Sequence, residues 1–137
     1  PCTTLAITNS VIPSVNGDYK KLAADLFRRV DDSRLPTVLF ALGDSNTWCL
    51  SMSFPNELET LSSGQLLRSQ CGPAQDCCLL VSVATAPSQP LTSRQRQWQA
   101  NEGQFKGHFD GSIQLDCVSA STGKYICILN IRKVIIN

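Results

Sequence analysis

The sequence predicts an all-β fold: one compact antiparallel β domain over residues 1–137, a small barrel or a sandwich, stabilised by disulfides and holding at most one short helix. Three observations lead there. Short runs rich in β-branched and aromatic residues recur along the chain, bounded by Gly, Pro, Asn, Asp or Ser. Seven cysteines in 137 residues are many for this length, and their spacing suits crosslinks better than a metal site. A helical period is carried by one stretch, Tyr19–Val30.

The elements follow in order. "TTLAIT", Thr3 to Thr8, is short and β-branched and reads as a strand. Asn16-Gly17 in "SVNGDY" is a turn signal. "YKKLAADLFRRV" admits two readings. Tyr19, Leu22, Ala23, Leu26, Phe27 and Val30 fall at helical spacing, with Asp18 placed to cap the first turn. The same stretch divides into two strands, "DYKKL" and "LFRRV", around Ala23-Ala24-Asp25. "PTVLFAL" and "TWCLSMSF" are strands by composition, and Gly43-Asp44-Ser45-Asn46 between them is a loop of turn formers. "CCLLVSVA", Cys77 to Ala84, is an apolar run that suits a buried strand, and a loop rich in Pro, Ser and Gln follows over Thr85–Arg96. "SIQLDCV", "SASTG" and "KYICILNIRKVII" read as a closing hairpin.

That hairpin places Cys117 and Cys127 opposite each other across a turn near Ser121-Thr122, close enough to bridge, so a local Cys117–Cys127 disulfide is expected. Cys77 and Cys78 point to opposite faces of a strand and should find different partners. Seven is odd, so one cysteine stays free, pairs with another chain in an interchain bridge, or carries a small-molecule cap. No C-x-x-C pair occurs and His108 is the single histidine, so no zinc site is expected. Asp31-Asp32 and the pair Asp110 and Asp116 lack EF-hand-like spacing, and no calcium site or other cofactor is expected either.

A net charge of +1, from twelve basic and eleven acidic residues, supplies no field for nucleic acid or an anionic membrane. No apolar run approaches the length of a membrane span. The cysteine content and a start at Pro1 lead to the expectation of a processed, secreted, extracellular protein. No Asn-x-Ser/Thr acceptor for glycosylation is present.

"GDSNTW", Gly43 to Trp48, resembles the first motif of the GDS-type serine esterases and lipases. That resemblance would make Ser45 a nucleophile, its backbone N–H contributing to an oxyanion hole. The rest of the family pattern is missing. The base would have to be His108, but the residue three before it is Phe105 where the family has Asp. A Gly-x-Asn-Asp oxyanion motif is absent, and "NTWCLSMSF" continues as a strand where the family has a helix. A loop between two strands is the preferred reading, and no enzyme is expected.

A second resemblance covers more of the chain. "NGDY" at Asn16–Tyr19, "TWCLS" at Thr47–Ser51 and "WQANEGQFKGHFDGSIQLDC" at Trp98–Cys117 are similar to secreted β-rich modules of marine invertebrates, a group that includes lectins. It implies a hairpin at Tyr19–Val30, a reading adopted here against the period. It also implies carbohydrate recognition.

The residues independently allow a sugar site, which pairs an aromatic face with amide and carboxylate groups for vicinal hydroxyls. "RQRQWQANEGQFKGHFD" concentrates such groups, and the contact residues expected are Trp98, Asn101, Glu102, His108 and Asp110. Trp48, mid-strand, is expected in the core, and Arg28, Arg29, Arg94 and Arg96 on the solvated surface. The expected function is a metal-independent lectin for simple sugars such as galactose, or for glycans on glycoproteins. Weak sites of this kind need at least a homodimer for avidity. The alternatives are an esterase using Ser45 and a disulfide-rich protein-binding or inhibitor module.

Overall fold

The computed structural model describes residues 2–30, 37–42, 46–52, 71, 77–84, 86 and 89–120. Among the described residues eight antiparallel strands form one sheet: β1 (Cys2–Thr8), β2 (Gly17–Ala23), β3 (Leu26–Arg29), β4 (Thr37–Ala41), β5 (Thr47–Met52), β6 (Cys78–Val83), β7 (Gln97–Ala100) and β8 (Gln114–Ala120). Neighbours run in the order β7-β6-β5-β4-β3-β2-β1-β8, so the chain meanders from β1 to β7 and β8 returns to flank β1. The sheet curls into a half-barrel and is not a two-sheet sandwich. Helical structure among the described residues is confined to 3-10 turns at Pro13–Val15 and Gly103–Phe105 and to Cys71. None of it is long and apolar enough to cross a membrane.

Tyr19–Val30 is a hairpin, with β2 and β3 joined through Ala24-Asp25. The helical stripe is not the buried set: Leu22 is 43% and Val30 62% exposed. Alternation decides instead, since Tyr19 and Lys21 turn inward while Asp18, Lys20 and Leu22 face solvent; past a register shift between Lys21 and Ala23, Ala23 packs on the opposite face. Val38, Leu39 and Phe40 are all fully buried because both faces of β4 are covered. The concave face packs Leu5, Ile7, Tyr19, Phe27, Leu39, Leu50, Leu80, Trp98 and Leu115 into one core. On the other face Leu26, Val38, Phe40 and Cys49 pack with Cys71 and Cys78 into a second. A continuous apolar run, rather than alternation, is what a strand buried on both sides requires.

Among the described residues three disulfides form, two of them between strands, but not in the expected local pairing. Cys117 bridges Cys2, with Cα atoms 5.7 Å apart, and not Cys127. The reason is the sheet order: β8 lies against β1, with Leu5 opposite Cys117, and an irregularity at Thr4 brings Cys2 alongside. Cys127 and the second arm of the closing hairpin lie outside the described residues. Cys78 bridges Cys49 and Cys77 bridges Cys71, so the adjacent cysteines do take different partners.

Gly17 opens β2 with φ +144°, and a Cβ there would sit 2.9 Å from Arg29 Cδ. Arg29 in turn donates from its guanidinium to the Ser14 carbonyl. Gly17→Ala is therefore expected to lose about 1–3 kcal/mol of stability through backbone strain and the displaced arginine. Urea unfolding of the variant checks this.

Candidate functional site

The strand directions give the half-barrel two ends. At one lie the β2–β3 turn, the loop from β6 to β7, the start of β1 and the end of β8. At the other lie the 9–16 connection and the loop after β7.

Of the five residues expected to contact sugar, Trp98 and Asp110 are buried, and Asn101, Glu102 and His108 lie on the loop between them. Gln97–Ala100 is a strand, with Trp98 and Ala100 inward and Gln97 and Gln99 outward. Trp98 is 3% exposed and belongs to the concave core, so its face is taken up by packing. Asp110, 5% exposed, is committed to the fold. Its Oδ2 accepts from the Ser10 hydroxyl at 2.7 Å and the Val11 N–H at 3.0 Å. Its Oδ1 accepts from the N–H groups of Ser112 at 3.3 Å and Ile113 at 3.1 Å. Glu102 and His108 are exposed and Asn101 is half-buried.

The loop bearing these three closes on itself. Ala100 N–H donates to the His108 carbonyl, Gly107 N–H to the Ala100 carbonyl, and the Gln99 amide to the Gly107 carbonyl. The aromatic group that this loop does present is Phe109, 62% exposed and bridged to Gln99. Gly-bounded polarity on both sides of Phe109 is the signal that marks it in the sequence.

At the opposite end the sheet opens into a cleft of about 450 Å³. Its walls are Leu5, Phe27, Trp48 and Leu91, closed at one side by the Cys2–Cys117 bridge. Trp48, expected in the core, is half-buried on the core's rim and lines the cleft. Its ring meets Phe27 at 6.2 Å between centroids, tilted by 55°. That is an edge-biased aromatic contact which holds both rings in place. Lys21 is the charged group in the lining, and no carboxylate is among the lining residues described.

Arg96 positions the loop that supplies Leu91. It is buried rather than solvated as expected, and it donates to the carbonyls of Asn46 at 2.9 Å, Gln89 at 2.8 Å and Pro90 at 3.4 Å, and to the Ser82 hydroxyl at 3.3 Å. Burial lowers its pKa from the ordinary arginine value. Carbonyl oxygens, which present partial negative charge, satisfy the guanidinium N–H groups here. Arg94 stays exposed and pairs with Asp116 of β8 at 2.6 Å.

The sulfurs of Cys49, Cys71, Cys77 and Cys78 lie within 4.8 Å of one another. All four are engaged in disulfides, and metal binding would require thiolates in their place. Ser45 lies outside the described residues. His108 sits in the loop beyond one end of β7, and Asn46, next to Ser45 in the chain, contacts Arg96 just before the other end.

Fold and cleft together define a disulfide-crosslinked β half-barrel with an open, largely apolar mouth. Comparison with known protein families, curated proteins and solved structures finds no match.

Proposed function

We propose that the protein is a secreted, non-catalytic binding module that takes a small ligand into the mouth of its half-barrel. The observation that carries this reading is the cleft of about 450 Å³ walled by Trp48 and Phe27. Its volume falls in the range, roughly 300–1,000 Å³, in which small-molecule sites occur. An eight-stranded barrel has an interior just wide enough to be filled or to hold one small ligand. Here the centre is filled and one end is not. Three disulfides support an extracellular setting.

The carbohydrate reading attaches to the other end. There Asn101, Glu102 and His108 accompany the exposed ring of Phe109 on a self-bonded loop, and Phe109 takes the place of Trp98 as stacking face. A metal-independent lectin of galactose type would use these four, and an interchain bridge through the seventh cysteine, Cys127, would supply its dimer. A monomer on both reducing and non-reducing gels would exclude that bridge.

One screen separates the readings. A panel of small amphiphiles and simple sugars is titrated while tryptophan emission is followed, and a glycan array is run with and without EDTA. The cleft reading expects a saturable emission change with amphiphiles, and it fails if none produces one. The lectin reading expects EDTA-insensitive glycan binding that Phe109→Ala abolishes, and it fails if no glycan binds. Fluorophosphonate labelling of Ser45 would revive the esterase.

A further inference from the structure

We infer that the ligand of the cleft is an anion with an apolar body, a medium-chain carboxylate whose chain lies against Trp48, Phe27 and Leu91 and whose head meets Lys21. The inference rests on the reading of the cleft as a binding site. Lys21 stands on the inward side of β2, two residues from the fully buried Tyr19 and directly opposite Phe27 in the β2–β3 register. Inward strand positions of a half-barrel are filled by apolar groups as a rule, because a charge there loses hydration. Lys21 is half-buried, and among the described residues its ammonium group has no hydrogen-bond or ion-pair partner. The cleft lining supplies an apolar wall and one cation but no described carboxylate. A carboxylate at the end of a hydrocarbon chain matches both halves of that surface. Its charge-assisted bond to the ammonium group would satisfy Lys21 at the point where water is displaced.

The test uses decanoate, decanol and decyltrimethylammonium, which share a chain and differ in head group. Trp48 is the reporter, because it lines the cleft while Trp98, the other tryptophan, is buried in the core. Decanoate is expected to bind about tenfold more tightly than decanol, the difference a charged hydrogen bond supplies, and the cation more weakly than either. Lys21→Met should bring decanoate down to the level of decanol and leave decanol unchanged. Ala24→Asp, on the exposed β2–β3 turn at the cleft wall, should weaken decanoate selectively without disturbing the core. If decanoate and decanol bind equally to the wild-type chain, or if Lys21→Met preserves their difference, the anion inference is overturned while the cleft reading stands. Lys21 is then a side chain whose stem covers apolar surface and whose head reaches water. If neither compound binds, the cleft reading itself fails.

Discussion

Replacing Cys2 and Cys117 together by alanine is expected to cost about 5 kcal/mol of stability, the largest loss of the three bridges. The bridge joins residues 115 apart in sequence, against 29 for Cys49–Cys78 and 6 for Cys71–Cys77. The chain-entropy argument scales with the logarithm of the loop closed in the unfolded state, giving about 3.5 kcal/mol for the second bridge and about 2 kcal/mol for the third. Burial argues the opposite order. Cys117 is exposed and Cys2 half-buried, whereas Cys49 and Cys78 are buried, so removing the latter pair also leaves a void. Guanidinium unfolding of the three double-alanine variants decides between the two contributions. A ranking led by Cys2–Cys117 means that confinement of the unfolded chain dominates. A ranking led by Cys49–Cys78 means that packing does, and the expectation fails. The Cys2–Cys117 variant should also bind cleft ligands more weakly, since the bridge forms part of the wall.

The same bridge shows where reading along the chain reaches its limit. Local spacing offered Cys127, ten residues further on, as the partner of Cys117. The order of the sheet, which sets β8 beside β1, makes Cys2 the partner instead. Long-range neighbours of this kind leave no trace in a window of a dozen residues. Elements whose burial is local were legible. "PTVLFAL", "TWCLSMSF" and "CCLLVSVA" became β4, β5 and β6 because β-branched and apolar runs between turn formers have few other outcomes. At Tyr19–Val30 the period of the apolar residues pointed to a helix. Pairing of β2 with both β1 and β3 outweighs that local preference and leaves Leu22 and Val30 in solvent. The burial of Trp98 was legible in its strand pattern. Gln97-Trp98-Gln99-Ala100 alternates polar and apolar, the pattern of a half-buried strand, and the abundance of amides around the ring drew attention to binding instead. The cleft was not legible, because Lys21, Phe27, Trp48 and Leu91 come from three strands and a loop that meet only when the sheet curls.

Asp110→Ala is expected to cost about 3–4 kcal/mol, which sets the fold role of this residue against the ligand-contact role the sequence implied. The carboxylate ties two chain segments a hundred residues apart: Ser10 and Val11 on Oδ2, Ser112 and Ile113 on Oδ1. The Ser112 hydroxyl also lies 3.1 Å from Oδ1, but it has one proton and a closer acceptor in the Asn9 carbonyl at 2.6 Å. Three backbone N–H groups and one hydroxyl therefore depend on this side chain. With alanine in its place all four lose their acceptor, and for the buried Ser10 hydroxyl an unsatisfied donor costs more than its bond contributed. Asp110→Asn keeps the shape and one acceptor oxygen but turns an amide N–H₂ toward the other pair of donors, so roughly half the loss is expected. Hydrogen exchange localises the effect: the amides of Val11, Ser112 and Ile113 should lose protection in both variants, and those of Leu39 and Leu50 only through global unfolding. Stability unchanged in Asp110→Ala, together with loss of glycan binding, would return Asp110 to the ligand site and remove it from the architecture. The strong anchoring also explains why the loop between β7 and β8 can carry exposed Glu102, His108 and Phe109 on a fixed frame. Its two ends are held, one by the buried Trp98 and the other by the Asp110 carboxylate, and the Asp110 N–H donates to the Trp98 carbonyl at 2.8 Å to lock them together.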